Sequence, residues 1–367
     1  MKKVLILTAG YGEGHNTAAR SVRDALNFVA PGEVQVEMMD LFETCYGKLN
    51  EFVKKAYITA INKAPKVWGK IYQLIDNTSM VQTNLVALGK MKKALKEILL
   101  TMQPDVILST YPVYNYLLDE IHRDGRRRSF SQVTVITDSL TINSIWYRCS
   151  SDYFLVANED SARVLREAKI PEEKIRTLGF PVTHLFASLK HERGELKDGA
   201  KVLFMINSGK SEAPEVARRL CARKDLRLTV TVGKDENLRA RINEAVATAA
   251  NPVEIYGWTS EIPKLLTSNH LLISKAGGAT VQESIASCTP MIITQVVPGQ
   301  EEGNAQLIVE NNCGSLSTTT DAIVASIDKA LQNEGALYAQ WQANITRLSR
   351  PDASLQTARF VLDLPPR

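Results

Sequence analysis

No apolar run in this sequence approaches the roughly 18–20 residues that a membrane-spanning helix needs, which excludes a helical membrane span. Its five cysteines, Cys45, Cys149, Cys221, Cys288 and Cys313, are scattered without C-x-x-C spacing and read as reduced, mostly buried thiols of a cytoplasmic protein. There is no D-x-D triplet, and His15, His122, His184, His191 and His270 show no metal-ligand spacing. A divalent ion held in a dedicated protein cage is therefore not expected. Internal repeats and low-complexity tracts are absent as well.

What is present describes a globular chain of 367 residues, 44% apolar and 23% charged, long enough for two domains. The opening MKKVLILTAG sets two lysines before an apolar stretch, but that stretch is short and runs into a glycine loop. It predicts a buried first strand and not a signal peptide. The net charge of +4 is unevenly spread: between Thr44 and Leu100 ten lysines face three acids, a local excess of +7. Such a region attracts nucleic acid or an anionic membrane surface.

Short β-rich runs alternate with helical patterns, which argues for α/β layers built on parallel sheets. Strands are predicted at Lys3–Thr8, Val34–Met39, Asp105–Ser109, Val133–Thr137, Tyr153–Ala157 and Ile175–Leu178. A second series runs through Lys201–Ile206, Arg227–Val232, Val253–Tyr256, His270–Ile273 and Met291–Thr294. The polar stretch 184–199 between them reads as a linker. The expected organisation is a first domain over 1–183, a second over 200–345, and a C-terminal helix over 346–367 that packs back on the first domain. The architecture is two doubly wound, Rossmann-like sheets facing a cleft. One insertion breaks the rhythm: apolar residues from Leu49 to Ile75 recur at helical spacing around Pro65, with lysines interleaved. It reads either as a helical hairpin packed on its own domain or as an interfacial surface that docks on anionic lipid.

Three loops carry the candidate chemistry. Gly10, Gly12 and Gly14 follow the first strand and His15 opens the next helix, at the carboxyl edge of a sheet where ligands bind. A dinucleotide fingerprint needs G-x-G-x-x-G, and the spacing here is G-x-G-x-G, although Asp40 ends the second strand as a Rossmann oxidoreductase would require. His15 in the first helical turn is a candidate general base. Asn207-Ser208-Gly209-Lys210 follows a strand, but Phe204 stands where a phosphate-binding P-loop needs glycine. Ser208 and Gly209 can still line a diphosphate site. Asp138 closes a strand beside Thr137, with Trp146 eight residues on, placed either to activate an acceptor hydroxyl or to cap the next segment.

The third loop lies in Ile273–Asn304, which holds a strand, a Gly-Gly turn, a short helix, a second strand and a Pro-Gly-Gln-Glu loop. Glycines at a helix start let backbone N–H groups approach a phosphate, and the helix dipole favours the anion. Glu283 sits inside that helix, where a carboxylate can accept from a ribose diol, and Gln300 and Glu301 suit sugar hydroxyls.

Gly257-Trp258, Ser274-Lys275-Ala276-Gly277-Gly278-Ala279-Thr280-Val281-Gln282-Glu283 and Pro298-Gly-Gln-Glu-Glu-Gly-Asn304, found together in order, resemble the glycosyltransferases that make monoglycosyl diacylglycerol. These include plant-type monogalactosyldiacylglycerol synthases and bacterial diacylglycerol glucosyltransferases, and more distantly the undecaprenyl N-acetylglucosaminyltransferase of peptidoglycan synthesis. The Gly12-Glu-Gly14-His15 loop and the Thr137-Asp138…Trp146 element resemble the lipid-glycosylating branch. The resemblance covers essentially the whole chain.

It implies a GT-B fold and an inverting transfer of hexose from UDP-glucose or UDP-galactose to diacylglycerol. The resemblance puts Glu283 on the ribose, Gly277, Gly278, Ala279 and Thr280 on the diphosphate, and Gln300 and Glu301 on the sugar. Gly257 and Trp258 would approach uracil, Lys275 and Asn304 complete the donor set, and His15 and Asp138 would activate the acceptor. Gly12, Gly14, Asn143 and Trp146 fall in the acceptor half, and Lys54, Lys55, Lys66 and Trp68 in the membrane-facing insertion. No cofactor, metal or nucleic-acid partner is expected, and the place of action is the inner face of the plasma membrane. Two departures stand out: Asn143 occupies a position that is usually histidine, and the Asn207 loop is poorer in glycine. Transfer to a polyprenyl-diphosphate-linked acceptor and nucleotide-sugar binding without transfer are the alternatives.

Overall fold

The computed structural model describes residues 1–48, 51, 88–123, 128–140, 142–207, 211–297 and 301–367. The chain forms two compact units, residues 1–184 with 297–303 and 352–367, and residues 185–296 with 304–351.

In the first unit, six strands, β1 (Lys2–Leu7), β2 (Val34–Met39), β3 (Val106–Ser109), β4 (Ser131–Val135), β5 (Tyr153–Val156) and β6 (Ile175–Thr177), pair in the order β2-β1-β3-β4-β5-β6. Every pairing is parallel. Helices cover both faces, so Val4, Leu5, Ile6 and Leu7 all lose their full surface and read as a continuous apolar run instead of an alternating one. Each such burial contributes about 1.5–3 kcal/mol. Helix α1 (Glu13–Val29) buries Ala18, Ala19, Val22, Ala25 and Leu26, the helical spacing of one apolar stripe. Helices α2 (Gly89–Met102), α3 (Val113–Ile121) and α4 (Glu159–Glu167) follow in the same unit.

The second unit repeats the plan. Strands β7 (Ala200–Met205), β8 (Leu226–Thr231), β9 (Glu254–Tyr256), β10 (Leu271–Ser274), β11 (Met291–Ile293) and β12 (Gly314–Leu316) order as β12-β11-β10-β7-β8-β9, again all parallel. Its helices are α5 (Ala213–Cys221), α6 (Glu236–Ala245), α7 (Ile262–Ser268), α8 (Gly278–Ala286), α9 (Glu302–Glu310) and α10 (Thr320–Leu348). Residues 332–335 interrupt α10 with non-helical backbone.

The eleven strands read from sequence recur within a few residues of their predicted ends. The twelfth, β12, was missed because it is three residues long and carries no β-branched side chain. Gly314 is required there: a Cβ would stand 1.8 Å from the Met291 carbonyl oxygen, on the strand it pairs with. The predicted linker is short 3-10 turns, His184–Ala187 and Leu196–Asp198, joined by irregular chain.

The last helix, α11 (Ala353–Asp363), belongs to the first unit and packs on α1 through Ala358 and Val361. The Lys2 ammonium donates to the Leu362 and Leu364 carbonyls at 2.6 and 2.5 Å, and a cation suits the carbonyl end of a helix. The Arg176 guanidinium lies 5.4 and 5.8 Å from the ring centres of Tyr153 and Phe360, which meet each other edge-on.

Candidate active site

In a doubly wound sheet, ligands bind beyond the carboxyl ends of the strands where the strand order reverses. That point lies between β1 and β3 in the first unit and between β7 and β10 in the second. The candidate loops follow these strands and β4.

In the first unit, α1 begins at Glu13, so Gly14 and His15 lie inside its first turn and Gly12 precedes it as the cap residue. Gly12 has extended backbone, and a Cβ there would meet only the His15 ring at ordinary contact distance. His15 Nδ1 lies 2.8 Å from the Thr137 hydroxyl at the end of β4. Its ring meets Tyr111 edge-on at 5.2 Å and lies 5.9 Å from Trp146. Desolvation by this packing pushes the imidazole down to about 4, against an opposing hydrogen bond with the Thr110 backbone. His15 is therefore neutral at pH 7.

Asp138 is partly exposed and accepts from the Trp146 indole N–H at 2.7 Å. Trp146 is itself 2% exposed, so it orients the carboxylate from within the core. Asn143 caps the short turn Ser144–Trp146 by accepting from the Ile145 N–H at 3.0 Å, and its buried amide nitrogen has no partner. Asp40 does not hold a ribose position. One of its oxygens accepts from the Gly10 N–H at 2.9 Å and the other from the Glu43 N–H at 3.1 Å, capping the helical residues 41–48. Beneath the site, the Tyr114 hydroxyl donates to the Thr8 carbonyl at 2.7 Å and accepts from the Leu41 N–H at 2.9 Å. Sequence reading missed Tyr111, and it missed Thr137 as the partner of His15. Both lie at strand ends, which is the signal that could have found them.

In the second unit, Gly277 caps α8 with extended backbone and no side chain closes that end. The Gly277 N–H is taken by the Lys275 carbonyl at 2.9 Å. Helix geometry then leaves the N–H groups of Gly278, Ala279 and Thr280 without intrahelical acceptors, at the positive end of the dipole. Glu283 follows on the same helix, half-buried, and Lys275 precedes it, also half-buried. The Asn207 amide reaches the Ser274 hydroxyl at 3.5 Å, and that hydroxyl donates to the Met205 carbonyl at 3.0 Å, tying the β7 and β10 loops together. Asn304 is buried and donates to the Ala276 carbonyl at 3.1 Å, fixing the loop that precedes α8.

Beyond β9, Gly257 packs against the Gly233 carbonyl and Arg239. Trp258 is 71% exposed, with the Lys234 ammonium 5.7 Å from its ring centre. Glu301, grouped with the first unit, is buried and accepts from the Val297 N–H at 3.0 Å. Ser208, Gly209, Gln300, Lys54, Lys55, Lys66 and Trp68 lie outside the described residues.

All five cysteines are free, and burial pushes the thiols of Cys149 and Cys313 up to about 12. Among the described residues no His, Cys, Asp and Glu group is arranged to hold a metal ion, and no helix is long and apolar enough to cross a membrane.

Two solved structures share this architecture end to end. S. aureus MnaA in a co-structure with UDP superposes with a TM-score of 0.62 at 12% identity, covering 100% of this chain and 98% of that one. Acinetobacter baumannii MurG gives 0.61 at 13% identity, covering 99% and 100%. Two parallel six-stranded sheets flanked by helices are the architecture of the GT-B fold. Within that fold class, residues 15–182 match the model of the monogalactosyldiacylglycerol (MGDG) synthase family and residues 209–355 match that of the glycosyltransferase family 28 C-terminal domain. Among curated relatives, the processive diacylglycerol beta-glucosyltransferase of Bacillus cytotoxicus is 25% identical over 98% of this chain and 93% of its own length. Its counterpart in Bacillus thuringiensis is 24% identical with the same coverage. The protein is a glycosyltransferase, as the motifs predicted.

Proposed function

We propose that this glycosyltransferase moves a hexose from a UDP-sugar to diacylglycerol with inversion at the anomeric carbon, at the inner membrane face. The observation that carries the donor half is the uncapped start of α8 at the strand-order reversal, with Glu283 on the same helix. Three N–H groups and a helix dipole suit the diphosphate, and they stabilise the charge that builds on it as the sugar departs. Glu283 accepts from the ribose diol, and the Gly257-Trp258 turn receives uracil. The hexose lies toward Gln300 and Glu301. The diacylglycerol acceptor rests on the relatives, which carry that activity in their names and align over nearly the whole chain. The lysine-rich 44–100 region gives the protein its hold on anionic lipid.

Asp138 takes the acceptor proton as the hydroxyl attacks. Protonating His15 would create a buried cation, which its desolvation opposes, whereas protonating Asp138 removes a charge. His15 then serves as a neutral hydrogen-bonding group on the acceptor. Inversion follows from a single displacement, and no covalent enzyme intermediate is needed.

The test is product formation from UDP-glucose and UDP-galactose with diacylglycerol in vesicles of graded anionic lipid content. A β-linked hexosyl diacylglycerol is expected, with turnover that rises with anionic lipid and falls with salt. Donor binding without turnover across a broad acceptor panel would sink the transferase reading.

A further inference from the structure

Arg193 is 7% exposed, although it belongs to the polar stretch between the two strand series. Its guanidinium donates to the Ser287 carbonyl, and to the Thr289 hydroxyl at 2.9 Å. Those two acceptors are neutral, the Tyr338 hydroxyl is a further neutral partner, and the buried Nε has none. A buried cation without a carboxylate is costly to keep, and burial duly pushes this guanidinium down from its usual range.

Its location gives the reason for keeping it. Ser287 is the residue that ends α8. The helix closes with a Schellman pair: the Thr289 N–H bonds the Ser284 carbonyl at 2.9 Å and the Cys288 N–H bonds the Ile285 carbonyl at 3.0 Å. Cys288 takes the left-handed backbone that such a turn demands, at φ 50°, where glycine is usual. This end is further tied by the Thr289 hydroxyl, which donates to the Leu266 carbonyl at 2.8 Å, and by Ser284, which donates to the Thr289 carbonyl at 2.5 Å. The segment that carries Arg193 is stitched to its unit by the Glu192 N–H on the Thr267 carbonyl at 3.2 Å and by His270 Nε2 near the Gly194 carbonyl at 3.2 Å. Arg193 thus sets a positive charge at the negative pole of the nine-residue helix whose other pole opens to the donor.

We propose that Arg193 is a positioning residue for the donor diphosphate: by capping the Ser287 end of α8 it fixes where the Gly278–Thr280 N–H groups stand. This rests on the donor site proposed above, and the helix transmits the effect because its backbone is rigid over two and a half turns.

The experiment measures calorimetric affinity of the full chain for UDP and for uridine, in wild type, Arg193→Gln, Arg193→Lys and Thr289→Val. Arg193→Gln should raise the UDP dissociation constant about tenfold, a change equivalent to ~1.4 kcal/mol and within the reach of charge effects at partly buried helix ends. Uridine affinity should change less, because it carries no diphosphate. Arg193→Lys should recover part of the loss, and Thr289→Val should show a smaller loss in the same direction. Binding stoichiometry reports the folded fraction, so a variant that is only less stable shows fewer sites at unchanged affinity, which overturns the proposal. Equal weakening for UDP and uridine also overturns it. Failure of the wild type to bind UDP sinks the donor site itself, a separate outcome.

Discussion

His15 offers a direct test of its own desolvated packing, because its titration must appear in the stability of the protein. Its imidazole stands at about 4 in the folded chain against 6.5 for an unperturbed histidine. Above the higher value neither state carries the proton. As the pH falls through 6.5 the unfolded chain takes the proton first, so stability present at neutral pH is lost progressively until the folded imidazole also protonates near 4. Between about pH 7 and about pH 4.5 the loss from this one residue is ~2 kcal/mol. His15→Gln keeps a side chain able to bond the Thr137 hydroxyl and removes the titration. The assay is urea denaturation of wild type and variant at both pH values. Wild type should lose ~2 kcal/mol more than the variant on acidification. His191 and His270 are also held low by burial, but they contribute equally to both proteins and cancel in the difference. Equal acid losses would mean that the imidazole is solvated and that its packing among Tyr111, Thr137 and Trp146 does not persist in solution.

Glu283→Ala should weaken UDP by roughly ten- to a hundredfold, the worth of a hydrogen bond to a charged group, and calorimetry with unchanged affinity would remove Glu283 from the ribose. Asp138→Asn should lower kcat at least a hundredfold while leaving UDP affinity in place, since general-base catalysis contributes about 10²–10⁴. Trp146→Phe, which deletes the 2.7 Å indole bond to that carboxylate along with part of a buried ring, should give a milder loss in kcat. A larger fall for His15→Gln than for Asp138→Asn would transfer the base role to His15. Gly314→Ala should destabilise the second unit by more than ~3 kcal/mol, because a methyl group at 1.8 Å from the Met291 oxygen forces β12 off the sheet, and a thermal melt like that of wild type would contradict the pairing.

The donor half was legible because its parts are contiguous: β10, the Gly277-Gly278 turn, α8 and β11 follow one another within a few dozen residues. Strand, turn and helix signals are local, so the loop after β10 could be placed at a carboxyl edge without knowing the strand order. The acceptor half was harder. Thr137 meets His15 across 122 positions of sequence, and the Asp40 carboxylate bonds the Gly10 N–H across 30. Only the parallel registers that set β1 between β2 and β3, and β4 beside β3, bring these groups together. Asp40 shows the consequence: at the end of the second strand it has the sequence position of a ribose ligand, and its hydrogen bonds are those of a loop clamp and a helix cap. Arg193 illustrates the same limit, since a lone arginine in a polar stretch carries no local sign of being buried.

The two units place their candidate chemistry by one rule, at loops beside the strand-order reversal. In each sheet the first strand of the unit, β1 or β7, flanks the reversal point, so the loop after it must leave room for a ligand while staying fixed in shape. Fixing it takes polar side chains of the same kinds that bind sugars. Asn304 holds the Ala276 carbonyl, and Glu301 holds the Val297 N–H. In sequence these two look like further sugar ligands beside Glu283, because an amide or carboxylate presents the same donors and acceptors to a backbone as to a hydroxyl. Asn304 keeps the loop before α8 in place, the N–H groups of Gly278, Ala279 and Thr280 stand at the uncapped start of that helix, and the Arg193 guanidinium bonds the Ser287 carbonyl at its far end.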